Sequence, residues 1–255
     1  MTYLLQNTDS RGVCTITLNR PDKHNCFDDS LIADMTLAFK TADADSTVRV
    51  IVLTGNGKSF SSGADLNWLK SMVNYSEEEN YQDSLHLANL MKTIYNCKKP
   101  TVAKVNGHVF GGGIGLLACC DIAIGSESGK YALSEAKLGI APAVISPYVI
   151  EAIGARNARR YFLSAETFTA KTAKELGLLH EVVAADKLDD AVSAVIDNLL
   201  LCGSNAQQES KAIIKEVANY TDPANDELTE KTVRLISKLR VSAEGQERLK
   251  KFLQK

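Results

Sequence analysis

The chain predicts an α/β fold with a mainly parallel sheet, ending in an all-helical tail. Three observations carry this. Strand-length apolar runs alternate with segments of helical spacing through most of the chain. The run Val48–Leu53 is β-branched with little polar interruption, the pattern of a strand covered on both faces. The segment 201–255 carries helical periodicity and no strand signal.

Taken in order, Val13-Cys14-Thr15-Ile16-Thr17-Leu18 reads as a strand that stops at the turn Asn19-Arg20-Pro21-Asp22. Ser30 to Ala44 has helical spacing through Leu31, Ile32, Met35, Ala38 and Phe39, with Asp28, Asp29 and Ser30 as candidate caps. After the buried strand Val48–Leu53, Thr54 to Gly63 is rich in turn residues. A polar, helix-prone segment reaches about Asn96 and is broken by Lys98-Lys99-Pro100. Thr101 to Val105 is the next strand, followed by a glycine-rich turn and an apolar helical segment from Leu116 to Cys120. Asp121–Ile124 and Tyr131–Leu133 read as short strands, and from Pro147 the chain is mostly helical. The tail divides into Asn205–Val217, Asp226–Leu239 and Ala243–Leu253. No repeat of solenoid length is visible.

Composition narrows the classes of function. A chain of 255 residues can bury a substantial core. Its 45% hydrophobic and 24% charged content is that of a globular protein rather than a disordered or membrane one. A formal charge of −2, with dispersed basic residues and no aromatic stacking platform, argues against nucleic acid. No run approaches the ~18 apolar residues of a membrane helix, and Met1 to Asn7 lacks a basic, apolar signal pattern, so a cytoplasmic setting is expected. Six cysteines are scattered without a C-x-x-C pair, as expected of reduced thiols. The four histidines show no ligand spacing, so no metal is expected.

The densest signal is Val105-Asn106-Gly107-His108-Val109-Phe110-Gly111-Gly112-Gly113-Ile114-Gly115. Glycine costs roughly 0.5–1 kcal/mol relative to alanine inside a helix or strand, so the cluster implies unusual backbone angles or close approach of a ligand to bare main chain. Free N–H groups at a helix start would then face a polarised oxygen or an anion. Two phosphate-binding motifs come near and fail. Gly55-Asn56-Gly57-Lys58-Ser59 ends like a P-loop, but Val52 stands where the first glycine belongs. Gly113-x-Gly115-x-x-Ala118 with Glu135 twenty residues beyond Gly115 imitates a dinucleotide fingerprint. Its helix is very short, however, and a second strand intervenes before the acid.

Other segments fit together better. In order stand Arg20-Pro21-Asp22-Lys23-His24-Asn25; Phe60-Ser61-Ser62-Gly63-Ala64-Asp65-Leu66; Lys99-Pro100-Thr101-Val102-Ala103-Lys104-Val105-Asn106-Gly107 with Phe110-Gly111-Gly112-Gly113; Cys120-Asp121-Ile122-Ala123; Ala132-Leu133-Ser134-Glu135-Ala136-Lys137-Leu138-Gly139-Ile140; and Ala173-Lys174-Glu175-Leu176-Gly177-Leu178-Leu179. Over nearly the whole length this closely resembles the enoyl-CoA hydratase/isomerase (crotonase) family. The resemblance implies a crotonase-like spiral of β-β-α repeats over 1–200, a helical C-terminal domain over 201–255, and a homotrimer or homohexamer. It implies an acyl-CoA thioester as ligand, with CoA part of the substrate and no separate cofactor. By position, the amides of Ala64 and Gly112 would hold the thioester oxygen. Asp65 and Leu66 would flank the CoA arm, and Lys23 would meet a CoA phosphate. Of the family's two glutamates, the one two positions beyond the glycine triplet falls on Gly115 and is missing, whereas the other matches Glu135.

With one carboxylate, the resemblance supports hydration of an enoyl-CoA first, isomerisation second, and acyl-CoA binding without turnover third. Gly63-Ala64-Asp65-Leu66-Asn67-Trp68-Leu69-Lys70, Ala118-Cys119-Cys120-Asp121, and Ala143-Val144-Ile145-Ser146-Pro147-Tyr148-Val149 with Ala158-Arg159-Arg160-Tyr161-Phe162-Leu163 look like the methylglutaconyl-CoA hydratase branch of leucine degradation, which shares the missing glutamate. Its substrate carries a second carboxylate, for which Lys70 is the candidate partner.

Overall fold

Successive strand pairs divide themselves between two sheets, and this division builds the molecule. A computed structural model describes residues 2–254. Strands β1 (Leu4–Thr8), β2 (Val13–Leu18), β3 (Val50–Gly55), β5 (Thr101–Val105), β7 (Ile122–Ser126) and β10 (Glu181–Val183) form a six-stranded sheet in the order β1-β2-β3-β5-β7-β10. Strands β4 (Ser59–Ser61), β6 (His108–Phe110), β8 (Lys130–Ala132) and β9 (Phe168–Thr169) form a second sheet in that order. Each of the pairs β3/β4, β5/β6 and β7/β8 crosses from the large sheet to the small one and is followed by helix. These helices are α2 (Leu66–Met72) with α3 (Glu77–Tyr95), α4 (Gly112–Ala118), and α5 (Ser146–Ser164). Helix α1 (Asp29–Ala44) likewise follows β2.

In the large sheet, β2, β3, β5, β7 and β10 are parallel, with Cys14 beside Ile51, Val52 beside Val102 and Ala103 beside Ala123. β1 is antiparallel and sits at the edge. Every residue of β3 is buried because each face is covered. Val50 and Val52 pack with Leu188, Val192 and Ile196 of helix α7 (Leu188–Leu201), whereas Ile51 and Leu53 enter the main core with Phe39, Met35 and Phe60.

Caps fix the helices around these sheets. Asp28 accepts from the Leu31 amide to start α1, and Ser76 with Glu79 forms a reciprocal capping box at the head of α3. Helix α6 (Ala170–Glu175) connects β9 to β10. The chain then ends in α8 (Ser204–Ala218), α9 (Asp226–Val241) and α10 (Ala243–Leu253). No helix among the described residues is long and apolar enough to cross a membrane.

Several elements differ from the sequence reading. β1, β4, β6, β9 and β10 were not expected. All five have five residues or fewer, too few positions for period-2 patterning to register. The helix expected from Leu116 begins at Gly112, so Gly112, Gly113 and Gly115 lie inside it. Sterics override propensity there: a Cβ on Gly113 would stand 2.7 Å from Ser61 O.

Candidate active site

β4, β6 and β8 stand side by side in that order and are parallel, so their C-terminal ends lie along one edge of the small sheet. Just beyond β4 comes Ala64, just beyond β6 Gly112, and just beyond β8 Glu135. Three positions far apart in sequence thus reach one place, and all line a single cavity of about 820 Å³.

The two amides are held without being consumed. Phe27 and Ala64 form an isolated parallel bridge, in which Phe27 N–H donates to Gly63 O and Asp65 N–H donates to Phe27 O, each at 2.8 Å. These bonds occupy the peptide groups on either side and leave the Ala64 N–H with no acceptor among the described residues. Gly112 opens α4, where the first N–H groups have no intrahelical acceptor, and it finds none elsewhere among the described residues. The loops touch: a Cβ on Gly63 would lie 3.0 Å from Gly112 N. Gly111 turns the chain from β6 into α4 at φ 51°, ψ −128°, angles open essentially to glycine alone. At Gly112 a Cβ would stand 2.7 Å from Phe27 Cζ, so a side chain would strike that ring before it met any ligand.

Glu135 begins a short 3-10 turn, Glu135–Leu138. Its Oε1 lies 3.5 Å from where a Cβ on Gly111 would be, which puts the carboxyl beside the turn that aims Gly112. Oε2 is buried with no hydrogen-bond partner among the described residues. Burial pushes the carboxyl above its ordinary pKa, against a smaller opposing pull from its own backbone amide. At Gly115 there is no room for a second acid: a Cβ would overlap Ile145 Cγ2 and stand 2.8 Å from Ile145 Cβ and 3.2 Å from Met91 Cε.

Leu66 and Lys70, both exposed, also line the cavity. Lys23 and Asp65 do not. Asp65 is the residue whose expected place changes. Its carboxylate turns inward, accepting from Arg20 Nη2 at 2.9 Å, Asn67 N at 2.7 Å and Cys26 Sγ at 3.3 Å. Burial alone would raise its pKa, but the Asn67 amide, the Cys26 thiol and the Lys23 and Arg20 cations outweigh it and hold the group at about 2. It caps α2 and anchors an ion pair with Arg20. Lys23 Nζ stands half-exposed, 3.5 Å from the same carboxylate.

Sequence reasoning missed Arg20, Phe27 and the α3 wall. Asn80, Asp83, Ser84 and Leu87 all line the cavity at i, i+3, i+4 and i+7, a one-face spacing that was available in the sequence. Asp83 is the cavity's other carboxyl, its pKa raised chiefly by burial. It lies eight residues before Met91, so about 12 Å along α3 from the α4 contact. The wall is apolar near α4 and polar farther out. Chemically, the cavity offers two convergent N–H donors, a buried carboxyl beside them and a largely apolar trough, a set suited to stabilising an oxyanion while moving a proton.

Comparison with known proteins agrees with this geometry. The family model for enoyl-CoA hydratase/isomerase matches residues 8–255. A Legionella pneumophila protein assigned as an enoyl-CoA hydratase/isomerase (crotonase) is 46% identical, with a TM-score of 0.92 over 100% of this chain and 97% of that one. The crystal structure of an enoyl-CoA hydratase from Shewanella pealeana is 39% identical, with a TM-score of 0.95 over 99% of this chain and 94% of that one. The enoyl-CoA hydratase AKT6-1 of Alternaria alternata is 37% identical over 220 residues, 85% of this chain and 70% of its own length. A crotonase-type spiral, the family match and relatives aligned along most of their length lead to one assignment: the chain belongs to the enoyl-CoA hydratase/isomerase family.

Proposed function

We propose that the protein is an enoyl-CoA hydratase that adds water across the 2,3 double bond of an enoyl-CoA thioester, using the Ala64 and Gly112 amides as an oxyanion hole and Glu135 as its acid/base. The observation that carries the reading is the meeting, in one largely apolar cavity, of two amides and one buried carboxyl oxygen that have no partner among the described residues. Addition at Cβ builds enolate charge on the thioester oxygen, and one preorganised donor aimed there is worth roughly 2.7–4 kcal/mol. The Glu135 carboxylate removes a proton from water as the hydroxyl bonds to Cβ. The enolate then collapses, taking that proton from Glu135 at Cα on the same face. Atoms balance, and Glu135 ends ionised as it began.

Relatives named as enoyl-CoA hydratases support the reaction class. Lys23, half-exposed beside the Ala64 loop, is the proposed partner of a CoA phosphate, and Leu66 a wall of the thioester channel. Within this reading, a methylglutaconyl-type substrate is supported by the polar outer wall, with Lys70 as the partner of its distal carboxylate. Subunits are proposed to associate as trimers or hexamers through the C-terminal helices, which expose Ile214, Val233, Ile236, Leu249 and Phe252.

A second reading, 3-enoyl-CoA to 2-enoyl-CoA isomerisation, is favoured by the filled space at Gly115, since shuttling a proton between Cα and Cγ needs one carboxylate only. Purified protein given a 2-enoyl-CoA should remove the absorbance of the conjugated thioester, and Glu135→Gln should not. Gain of that absorbance from a 3-enoyl-CoA, without hydration, would establish the isomerase. Tight binding with neither change would overturn both. For the acyl tail, Lys70→Ala should slow a carboxylated enoyl-CoA more than crotonyl-CoA; equal slowing removes Lys70 from the assignment.

A further inference from the structure

Arg20 lies 5% exposed behind the cavity wall, outside the cavity. Its guanidinium lies 4.7 Å from the centre of the Tyr3 ring and donates three hydrogen bonds: Nη1 to Cys26 O and to Asp28 Oδ2, each at 3.1 Å, and Nη2 to Asp65 Oδ2 at 2.9 Å. Cys26 and Asp28 flank Phe27 in sequence, and Asp65 follows Ala64. The Phe27–Ala64 bridge is a single residue pair, too short to hold itself. One planar fork therefore staples both of its strands. The staple also reaches the second donor, because the Phe27 ring is the first atom group that a side chain on Gly112 would meet.

The geometry points to Arg20 as the positioning residue for both amide donors, Ala64 through the bridge and Gly112 through the Phe27 ring. This rests on the oxyanion-hole reading above and deepens it. The surrounding turn is built to the same end. His24 and Asn25 hold φ values of 52° and 54°, in the left-handed region that favours glycine. Asn25 fixes that turn by accepting from Arg20 N at 2.9 Å and donating to Ser59 O at 2.7 Å, at the start of β4. Ser61 Oγ then donates to Asn25 O at 2.9 Å and accepts from Gly63 N at 3.2 Å. Arg20 thus closes a frame running from the first turn to the donor loop. A lysine supplies the charge, but as a flexible point cation it lacks the planar fork that spans both strands.

The test uses the full-length protein and a chromophoric enoyl thioester, dimethylaminocinnamoyl-CoA, whose visible band moves to longer wavelength when its carbonyl is polarised. Wild-type protein should show this red shift on binding. Folded Arg20→Lys should lose more than about half of the shift and about tenfold or more in kcat, with KM within about threefold, because donors displaced by under an ångström still admit the ligand. Asp65→Asn cuts the same fork from the other strand without removing the cation, and the same outcome is expected if Arg20→Lys does not fold. Val192→Ala, on the buried face of α7, removes core packing away from the cavity and should keep the shift. A folded Arg20→Lys or Asp65→Asn with wild-type shift and kcat overturns the proposal, as does an equal loss in Val192→Ala. No red shift in the wild type overturns the oxyanion-hole reading itself, so the two failures are distinct.

Discussion

Glu135 combines an apolar setting, a free oxygen and a raised pKa, and these make opposite demands on stability and on turnover. A carboxyl whose folded pKa lies above its unfolded value contributes stability that is full below the unfolded pKa and is lost as pH rises through the folded one. Glu135→Gln should therefore melt higher than wild type at pH 8 and differ little near pH 4, while kcat falls about 10²- to 10⁴-fold. Thermal melts across pH, paired with the enoyl-CoA assay, check both. Retained activity in the glutamine variant would remove Glu135 from the mechanism. The neighbouring Gly115 is set by packing, since a methyl there overlaps Ile145. Gly115→Ala should cost about 1–3 kcal/mol by overpacking, and less than that in an Ile145→Ala background, where the overlapping Cγ2 is gone. Additive losses in denaturant melts would show that the two positions do not press on each other. Of this residue-scale picture, Glu135 and the missing acid at Gly115 could be read from the chain through the aligned motifs. The collision with Ile145 could not, because 30 residues separate the two and only the fold brings them together.

Element by element, the long buried pieces were legible and the short ones were not. β3, α1 and the three terminal helices have enough consecutive positions for a period to show, and α10 spans the expected residues Ala243–Leu253. β4, β6 and β8 have three residues each, and β4 and β6 showed no strand pattern, yet these three strands position the site. The β-β-α repeat was hidden for a related reason: α3 makes one turn of the spiral far longer than the next, so no fixed sequence period survives. α2 shows what a local pattern cannot decide. Its cap, Asp65, is held by the buried Arg20, 45 residues away in sequence, a partner that no local pattern reveals. Held at about 2 in the folded chain against an ordinary 3.8, Asp65 contributes about 2 kcal/mol of stability above pH 4, lost as pH falls through about 2. The difference in unfolding free energy between wild type and Asp65→Asn should therefore narrow as pH is lowered from about 4 to about 2. A difference constant over that window would mean that the ion pair does not stabilise this loop. No residue of α2 is buried, so its amides should exchange faster than those of α1 and slow when an acyl-CoA analogue fills the cavity it lines.

At the scale of the molecule, the spiral buries its own sheets but leaves its helical tail with apolar stripes facing outward. On α8 Ile214 and Val217 lie three apart, on α9 Val233 and Ile236 do the same, and on α10 Leu249, Phe252 and Leu253 share one face. Phe252 is 75% exposed and Leu253 79%. Covering such a side chain is worth about 1.5–3 kcal/mol, so a stripe repeated on three helices is costly in a lone subunit and favourable at a subunit boundary. Closed symmetry lets each copy offer the same stripes, which fits the proposed trimer or hexamer. Light scattering on the full-length protein should then give three or six times 27.7 kDa. Ile236→Asp combined with Phe252→Asp should lower that mass toward one subunit, because charges buried at an apolar contact have no partner. Because the residues lining the cavity all fall between Phe27 and Ile145, outside the terminal helices, the dissociated variant should retain acyl-CoA binding. A wild-type mass of one subunit would leave the stripes without the occupant proposed for them.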